Sequence, residues 1–451
     1  MEIVIVGLGK IGKIILENLI REEHTITIID ENRGEIEALI EKYDVFGVVG
    51  NGACMDVQIE ANVKTADLMI ALTGSDELNI LVCLVAKKLG VQNTISRVIN
   101  PNYRKQIIDM KEELGISMIL NPERETSKEI LSLINIPSAA QIESFARGKV
   151  SLVAIVIEKG CLLIGESLVS ISRKFRTKVL VCAVQRGERV YIPSGNFVIN
   201  EGDKIHFTSE ANLLGAFLEE INLVEEPLKK VMIVGGGKIG YYLASDLSAQ
   251  KYKVKIIEID EAKAEKIADE LSDVTVILGD GTKHDLLMEE GIETIDAFVT
   301  LTEIDEENIV ASMYAQKKNV RKIITKIDRD ELVCMLDEMG IANNVSPKDI
   351  IADKVYRYVR ALANRRGSNI VTLYRLVNNQ VEALEFIAKR QEHIYDKPLK
   401  ELKLKDNCLI ACIIRKGEVI IPDGNACICQ NDNVVVVTTH KNFDDLTDIF
   451  E

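Results

Sequence analysis

Short apolar runs alternate with longer segments of helical periodicity along residues 1–120. Runs that are apolar at nearly every position are typical of parallel strands covered on both faces. The pattern predicts strands at 2–6, 25–30, 45–49, 67–72, 94–98 and 117–119. It predicts helices at 10–21, 33–42, 53–61, 76–89 and 102–113. With right-handed crossovers, these strands form a doubly wound sheet in the order 3-2-1-4-5-6, with ligands at the carboxyl ends of strands 1 and 4.

The pattern changes after this predicted sheet. Residues 121–135 predict a helix that leaves the sheet domain, and we expect it to pack on a neighbouring subunit. Residues 140–222 predict short strands near 140–146, 151–157, 178–185, 189–192 and 204–208, with a closing helix at 210–221. Turns such as EKG and PSGN join these strands. The segment is therefore expected to form a small α+β module without a catalytic constellation.

The second half of the chain repeats the first. VMIVGGGKIG at 231–240 corresponds to IVIVGLGKIG at 3–12, and TLTEIDEENI at 300–309 corresponds to ALTGSDELNI at 71–80. One unit of about 225 residues is thus written twice. The predicted fold class is α/β, with two tandem Rossmann-like doubly wound parallel-sheet domains, each followed by a small α+β module. The predicted domains are 1–122 and 229–348 for the sheets, and 138–222 and 368–451 for the modules.

Composition narrows the function classes. The net charge is −15, aromatic residues make up 5% and Trp is absent, and no basic stripe is present, so no nucleic-acid partner is expected. A strand begins directly after Met1 and no apolar run is long enough to span a membrane, which predicts a cytosolic protein. The nine cysteines form no CxxC pair and do not cluster with histidine, which favours buried reduced thiols and predicts no metal site.

The opening glycines predict a phosphate site. Gly7, Gly9 and Gly12 follow an apolar strand and precede a helical pattern. Gly7 permits the tight turn, the missing Cβ of Gly9 lets a diphosphate approach the backbone, and Gly12 lets the helix lie close to the strand. The free N–H groups at the helix start then face the anion. Strand, glycine turn and helix together make nucleotide binding the favoured hypothesis for this half.

The remaining candidates of the first half follow strands of the same sheet. Asp30 ends strand 2, where a ribose hydroxyl is read, and its carboxylate favours NAD over NADP because it repels a 2′-phosphate. Asn51 and Gly52 follow strand 3, where an adenine edge is expected. The full first set of cofactor-binding candidates is Gly7, Leu8, Gly9, Lys10, Ile11, Gly12, Asp30, Asn51, Gly52, Thr73, Gly74 and Arg97.

The second half carries a matching but altered set. Glu258 replaces Asp30, Asp280 replaces Asn51, Glu303 replaces Gly74 and Lys326 replaces Arg97. Because Glu303 adds a negative charge where a diphosphate is expected, we predict that the two sites differ in affinity or in ligand. The full second set of candidates is Gly235, Gly236, Gly237, Lys238, Ile239, Glu258, Asp280, Thr302, Glu303 and Lys326.

Catalytic residues are missing from this pattern. A dehydrogenase needs an acid or base beside its nicotinamide, but the five histidines do not occupy matching places in the two halves. The sequence therefore predicts a ligand sensor rather than an enzyme, with no catalytic residues. An NAD-dependent oxidoreductase and a soluble nucleotide sensor without a membrane partner stay open as alternatives.

The chain closely resembles one family. The strand–GxGxxG–helix start, the acid after strand 2, the GNG and GDG segments, the LTxxDExN stretch and the late IPxGN pattern are similar to RCK (KTN) modules. Two tandem copies resemble the TrkA-type regulatory subunits of Trk potassium uptake systems. The resemblance implies binding of NAD(H) or ATP/ADP at Gly7 to Ile11, Asp30, Thr73, Gly74 and Arg97, and at Gly235 to Ile239, Glu258, Thr302, Glu303 and Lys326.

The resemblance also implies partners. Sheet domains of this family form a gating ring of eight beneath a membrane potassium-translocating subunit that is TrkH-like, so two per chain imply a homotetramer. The protein is then expected to be cytoplasmic and peripheral, on the inner face of the cell membrane.

Overall fold

The computed structural model describes most of the chain. The described residues are 1–21, 24–135, 140–145, 150–187, 189–210, 213–221, 228–339, 341, 343–364, 370–376, 381–388, 394–440, 443 and 445–450. They divide into two compact units. One unit contains Met1–Asn135 and Leu228–Tyr356, and the other contains Ile136–Pro227 and Arg357–Glu451. The predicted domain boundaries at 138, 222 and 368 lie outside the described residues.

Strands and helices alternate through the first sheet domain. Its elements are β1 Glu2–Val6, α1 Lys10–Ile20, β2 Thr25–Asp30, α2 Arg33–Lys42, β3 Phe46–Val49, α3 Met55–Glu60, β4 Leu68–Ala71, α4 Asp76–Leu89, β5 Asn93–Arg97, α5 Pro101–Asp109, β6 Met118–Leu120 and α6 Pro122–Asn135. The predicted sheet order is confirmed, since the strands lie in the order β3-β2-β1-β4-β5-β6 and pair in parallel. The apolar runs of β1 and β4 are buried on both faces, as doubly covered strands require.

A small antiparallel sheet follows. Its elements are β7 Ala140–Phe145, β8 Val150–Val156, α7 Leu168–Lys174, β9 Leu180–Arg186, β10 Arg189–Tyr191, β11 Lys204–Glu210 and α8 Leu214–Glu220. The strands lie in the order β10-β9-β11-β8-β7. The sequence did not predict α7, a helix of seven residues that is capped by the Ser167 side chain and buries Ile171. So short a helix gives too few turns for a periodic signal.

The second half repeats both sheets. Its parallel sheet domain contains β12 Lys230–Val234, α9 Lys238–Ala249, β13 Lys253–Glu258, α10 Glu261–Glu270, β14 Val274–Leu278, α11 His284–Glu289, β15 Ala297–Thr300, α12 Asp305–Lys317, β16 Lys322–Lys326, α13 Asp330–Glu338, β17 Asn344–Val345 and α14 Pro347–Asn364. Its strand order, β14-β13-β12-β15-β16-β17, equals that of the first sheet. The last sheet contains β18 Ile370–Leu376, β19 Val381–Ile387, β20 Cys408–Arg415, β21 Glu418–Ile420 and β22 Asn433–Thr438.

Helix α6 joins the two parallel-sheet domains. Its apolar face packs on α9 of the second half, where Ile130 and Ile134 are buried in the core beneath β12. Arg124 also forms an ion pair with Asp246, at 2.8 Å. The expectation that this helix packs on a neighbouring subunit was wrong for this face, because the duplicated chain supplies the second sheet domain as its partner.

Three of the cysteines that the sequence predicts to be buried thiols are buried in the structure. Cys83, Cys182 and Cys412 are buried free thiols, and burial raises the pKa of Cys83 and of Cys182 to about 12. These thiols are therefore protonated and unreactive at neutral pH.

Within the described part of the chain, no helix combines the length and the apolar character that a membrane span requires.

Candidate functional site

The first glycine turn is shaped by close backbone approaches. Gly7 has φ +93°, a conformation that favours glycine, and a Cβ on Gly12 would lie 2.2 Å from the Gly7 carbonyl oxygen. Gly9 caps α1 without any side-chain hydrogen bond, and a Cβ added to it would meet no atom within 4 Å. Backbone conformation and packing thus require glycine at Gly7 and Gly12, whereas the missing side chain of Gly9 leaves space in front of the uncapped helix N-terminus.

Asp30 connects this turn to the next strand. Its Oδ2 accepts a hydrogen bond from the Leu8 backbone N–H at 2.7 Å, and its Oδ1 accepts one from the Asn32 N–H at 2.9 Å. Asp30 is half-buried and lines a cavity at the carboxyl edge of the sheet, and each of its oxygens can accept a further hydrogen bond. Asp30 therefore fixes the turn and still offers an acceptor to a ribose hydroxyl.

The loop after β4 is held by a buried amide. Asn79 accepts the Thr73 N–H at 2.8 Å and donates to the carbonyl oxygens of Thr73 and Arg97, at 3.1 and 3.0 Å. Asp76 accepts the N–H of Ile99 with both oxygens, at 3.0 and 2.9 Å. These two side chains hold the ends of β4 and β5 together, so the predicted residues Thr73 and Arg97 are brought to one place.

Arg97 presents an incompletely paired cation. Its Nη1 donates to the Thr73 carbonyl at 3.2 Å, while its Nε is buried and has no hydrogen-bond partner. No carboxylate among the described residues lies within ion-pair distance of it. A half-buried guanidinium that lacks a carboxylate partner is suited to an anionic ligand, which would balance its charge.

Two cavities meet at Arg97. One, of about 420 Å³, is lined by Gly7, Leu8, Gly9, Asp30, Gly52, Thr73, Gly74 and Arg97 among the predicted residues. The other, of about 330 Å³, is lined by Gly9, Lys10, Ile11, Gly12 and Arg97 and also by Ile239 and Lys326 of the second half. Both volumes fall within the range of ligand pockets, roughly 300–1,000 Å³. Gly9 and Arg97 thus line both cavities, and we call the region in front of these two residues the first mouth.

Of the two predicted residues after β3, Gly52 lines a cavity and Asn51 does not. Asn51 does not line either cavity, and its Oδ1 accepts the Ala53 N–H at 2.9 Å to form a local turn. Gly52 lines the larger cavity, but a Cβ there would lie 2.3 Å from Val6 Cγ1, so packing also requires glycine. Asn51 is therefore assigned to turn geometry by its observed hydrogen bond.

The second glycine turn is similar but accommodates a longer acid. Gly235 has φ +104°, and a Cβ on Gly237 would meet nothing within 4 Å. The Glu258 oxygens accept the N–H groups of Gly236 at 2.6 Å and Asp260 at 2.9 Å, and this side chain is only 6% exposed. A Cβ on Gly236 would lie 3.0 Å from Glu258 Oε2. Glycine at this position, where the first half has Leu8, therefore accompanies the longer acid that stands in place of Asp30.

The other second-half candidates carry more negative charge. Asp280 accepts hydrogen bonds from the N–H and the hydroxyl of Thr282, which hold the pKa of its carboxyl below the usual value. Glu303 is exposed at the position that Gly74 occupies in the first half. Lys326 donates to the Thr302 carbonyl at 3.3 Å but also pairs with Asp328, at 3.2 Å. The carboxyl edge of the second parallel sheet therefore offers less free positive charge to an anion than that of the first.

Sequence reasoning missed the residues that position these groups. Asn308 and Asp305 repeat the hydrogen bonds of Asn79 and Asp76 around Thr302 and Lys326. The signal was present, because the LTxxDExN segment recurs in both halves with its Asp and Asn at the same spacing. Asp328, which lines the smaller cavity, was also missed.

No alternative chemistry emerges from the described side chains. Among them, no group of three or more His, Cys, Asp or Glu residues is arranged to hold a metal ion. His206 is buried in the first antiparallel sheet, where burial and Lys204 lower its pKa to about 4. It is therefore neutral at physiological pH.

Comparison with known proteins gives a consistent result. The TrkA-N domain model matches residues 3–122 and 231–347, and the TrkA-C domain model matches residues 152–222 and 385–451. The Trk system potassium uptake protein TrkA of Vibrio alginolyticus is 32% identical over 98% of this chain and 97% of its own length. A TrkA homolog of Archaeoglobus fulgidus is 30% identical over 100% of both chains.

Solved structures share the fold at low identity. The GsuK channel bound to NAD superimposes with a TM-score of 0.63 at 18% identity, covering 97% of this chain and 76% of that one. GsuK bound to ADP superimposes with a TM-score of 0.51 at 16% identity, covering 81% of this chain and 69% of that one. The tandem arrangement of parallel and antiparallel sheets is thus shared with these channel domains.

Proposed function

This chain belongs to the TrkA family of potassium uptake proteins, and we propose that it is a nucleotide-binding regulatory subunit that controls a membrane potassium transporter. The observation that carries this proposal is the mouth in front of Gly9, where an uncapped helix N-terminus and Arg97, which has no ion-pair partner among the described residues, line the same cavities. Both features call for an anion, and phosphate is the anion that such turns bind.

The proposed ligand is NAD(H), ATP or ADP. Lys10 and the first-turn amides of α1 bind the diphosphate together with Arg97, and Asp30 accepts from a ribose hydroxyl. The apolar wall formed by Val6, Ile29 and Leu72 suits a base. The GsuK structures carry NAD or ADP, which makes these two compounds the first to test. The bound nucleotide supplies charge and binding free energy, not bond chemistry.

Regulation follows from linkage. Helix α6 and the Arg124–Asp246 ion pair connect the two parallel-sheet domains, and the smaller cavity is lined by both. A nucleotide that favours one arrangement of these domains shifts its population by the difference in affinity. A coupling free energy of about 1–3 kcal/mol changes transport severalfold. Neither nucleotide binding nor the shift between domain arrangements needs a catalytic residue. The proposed function is therefore regulatory and not enzymatic.

The proposed assembly follows the family. The four domains span 1–122, 138–222, 229–348 and 368–451, and a homotetramer would place eight sheet domains in a ring. The ring docks on the cytoplasmic side of a TrkH-like membrane subunit, so the protein is peripheral on the inner face of the membrane. The relatives named as Trk potassium uptake proteins support a potassium transporter as partner.

Two matched substitutions test nucleotide binding. Gly9→Asp and Gly237→Asp add a carboxylate where a Cβ meets no atom, with backbone angles that any residue adopts, and aspartate is a good helix N-cap. Both variants are expected to stay folded while the new carboxylate occupies the phosphate position. In calorimetric titrations with ADP and NAD, Gly9→Asp should lack the tighter class of binding sites and Gly237→Asp should lack the weaker class. Unchanged binding in both would reject the proposal.

A transport assay tests the regulatory role. Potassium flux is measured in liposomes that contain the membrane partner, with and without this protein and with each nucleotide. Wild type is expected to change the flux in a nucleotide-dependent way, and Gly9→Asp is expected to lose that response. A flux that does not depend on nucleotide would contradict a gating function, even where binding is retained.

A further inference from the structure

The two halves differ at one position beside the central cation. Arg97 and Lys326 end equivalent strands, and each donates to the carbonyl of the threonine after the neighbouring strand, at 3.2 and 3.3 Å. Two residues further on, the first half has Ile99 and the second half has Asp328. Lys326 is paired with Asp328 at 3.2 Å, whereas no carboxylate among the described residues pairs with Arg97.

The backbone around this position is the same in both halves. The Ile99 N–H donates to both Asp76 oxygens, and the Asp328 N–H donates to both Asp305 oxygens, at 3.1 Å each. Both Ile99 and Asp328 are half-buried. At this position the two halves therefore differ in the side chain and not in the backbone, and exchanging the side chain leaves the supporting hydrogen bonds in place.

Burial strengthens the attraction between Lys326 and Asp328. The Lys326 side chain is 11% exposed and that of Asp328 is 33% exposed, so solvent screens their attraction less than at an open surface. The pair has no net charge, and an incoming phosphate must either displace the Asp328 carboxylate or lie beside a like charge. Arg97, by contrast, has no carboxylate partner among the described residues and lines both cavities.

Resting on the proposed nucleotide-binding function, we propose that Asp328 is a specificity-determining residue: as an internal counter-ion it satisfies Lys326 and makes the second half discriminate against phosphate-bearing ligands. The first half is then the tighter site for di- and triphosphates. The second half takes the same ligands weakly and prefers less negatively charged ones. Glu303, exposed where the first half has Gly74, acts in the same direction.

A reciprocal exchange tests this assignment. Asp328→Ile gives the second half the side chain of the first, and Ile99→Asp gives the first half that of the second. ADP is titrated calorimetrically, with adenosine as the ligand that lacks phosphate. Asp328→Ile should tighten the weaker class of ADP sites about tenfold, and Ile99→Asp should weaken the tighter class by a similar factor. Adenosine binding should stay within about twofold of wild type in both, because it carries no charge.

Further variants localise the effect. The gain in Asp328→Ile should vanish when Gly237→Asp is added, and it should shrink at about 0.5 M salt, where charges are screened. Asp273→Asn removes the same charge at the amino edge of the sheet, before β14, and should leave ADP binding unchanged. If wild type binds ADP but Asp328→Ile does not bind it more tightly, this inference is wrong while the proposed function is unaffected. The same holds if adenosine gains as much affinity as ADP. Absence of ADP binding from wild type and all variants overturns the proposed function as well.

Discussion

Replacing Arg97 by methionine separates ligand binding from folding. The variant removes the charge that faces the first mouth and keeps a side chain of similar length. The charge-assisted hydrogen bonds lost to a phosphate are worth about 1.5–3 kcal/mol, which corresponds to a roughly ten- to hundredfold weaker ADP affinity. Adenosine, without phosphate, should bind as it does to wild type. The contrast between the two ligands is the quantity to measure by calorimetry.

Stability should respond differently from binding. The Thr73 carbonyl still accepts from Asn79 Nδ2 at 3.1 Å after the guanidinium is gone, so no carbonyl is left unpaired. Removal of a buried Nε that has no partner offsets the lost hydrogen bond of Nη1. The free energy of unfolding in urea should therefore stay within about 1 kcal/mol of wild type.

Two controls make the result decisive. Arg173→Met removes an equal charge from the exposed side of α7 and should leave ADP affinity unchanged. Arg97→Lys keeps the charge but loses the fork of donors, so an intermediate ADP affinity is expected. If Arg97→Met binds ADP as tightly as wild type, or loses ADP and adenosine equally, Arg97 is not the phosphate contact and the reasoning fails.

Three further predictions concern the packing of the turn, the loop after β4 and the first antiparallel sheet. Gly12→Ala should lower the free energy of unfolding by about 2–3 kcal/mol, because its Cβ meets a backbone oxygen at 2.2 Å, whereas Gly9→Ala should not. Asn79→Leu should cost about 2–4 kcal/mol in urea unfolding, since it leaves buried groups of the β4 and β5 ends unpaired. His206 has a folded pKa of about 4 against 6.5 unfolded, so the unfolded state binds the proton first as pH falls. Wild type should thus lose about 2 kcal/mol more than His206→Gln between about pH 7 and 5, with full stability retained above about pH 6.5.

Each of these has a contradicting outcome. Equal unfolding midpoints for Gly12→Ala and Gly9→Ala would show that the turn has room that the structure does not give it. Asn51→Ala, which removes only a local turn acceptor, serves as the control for Asn79→Leu and should cost about 1 kcal/mol or less. Parallel pH profiles of wild type and His206→Gln would show that this histidine titrates normally in the folded protein.

The first half illustrates how far the sequence alone determines the molecule. Alternating strands and helices with right-handed crossovers predicted the strand order of the first parallel sheet, and the repeat extended it to the second. The glycine turn was predicted with its three different roles, of which the two packing roles are borne out by Gly7 and Gly12. The repeat predicted which residues occupy equivalent places in the two halves.

Tertiary structure decided which of those residues keep an unused hydrogen-bonding group. Asn51 and Arg97 both follow strands of the same sheet, yet the Asn51 oxygen is used by a local turn while Arg97 has an unused donor. Glu258 is a conservative change from Asp30 in sequence, but its burial depends on the missing Cβ of Gly236. Such outcomes depend on contacts between residues far apart in the chain. The sequence therefore determines where strands end, whereas the charge left free at each end is decided by side chains that only the folded chain brings together.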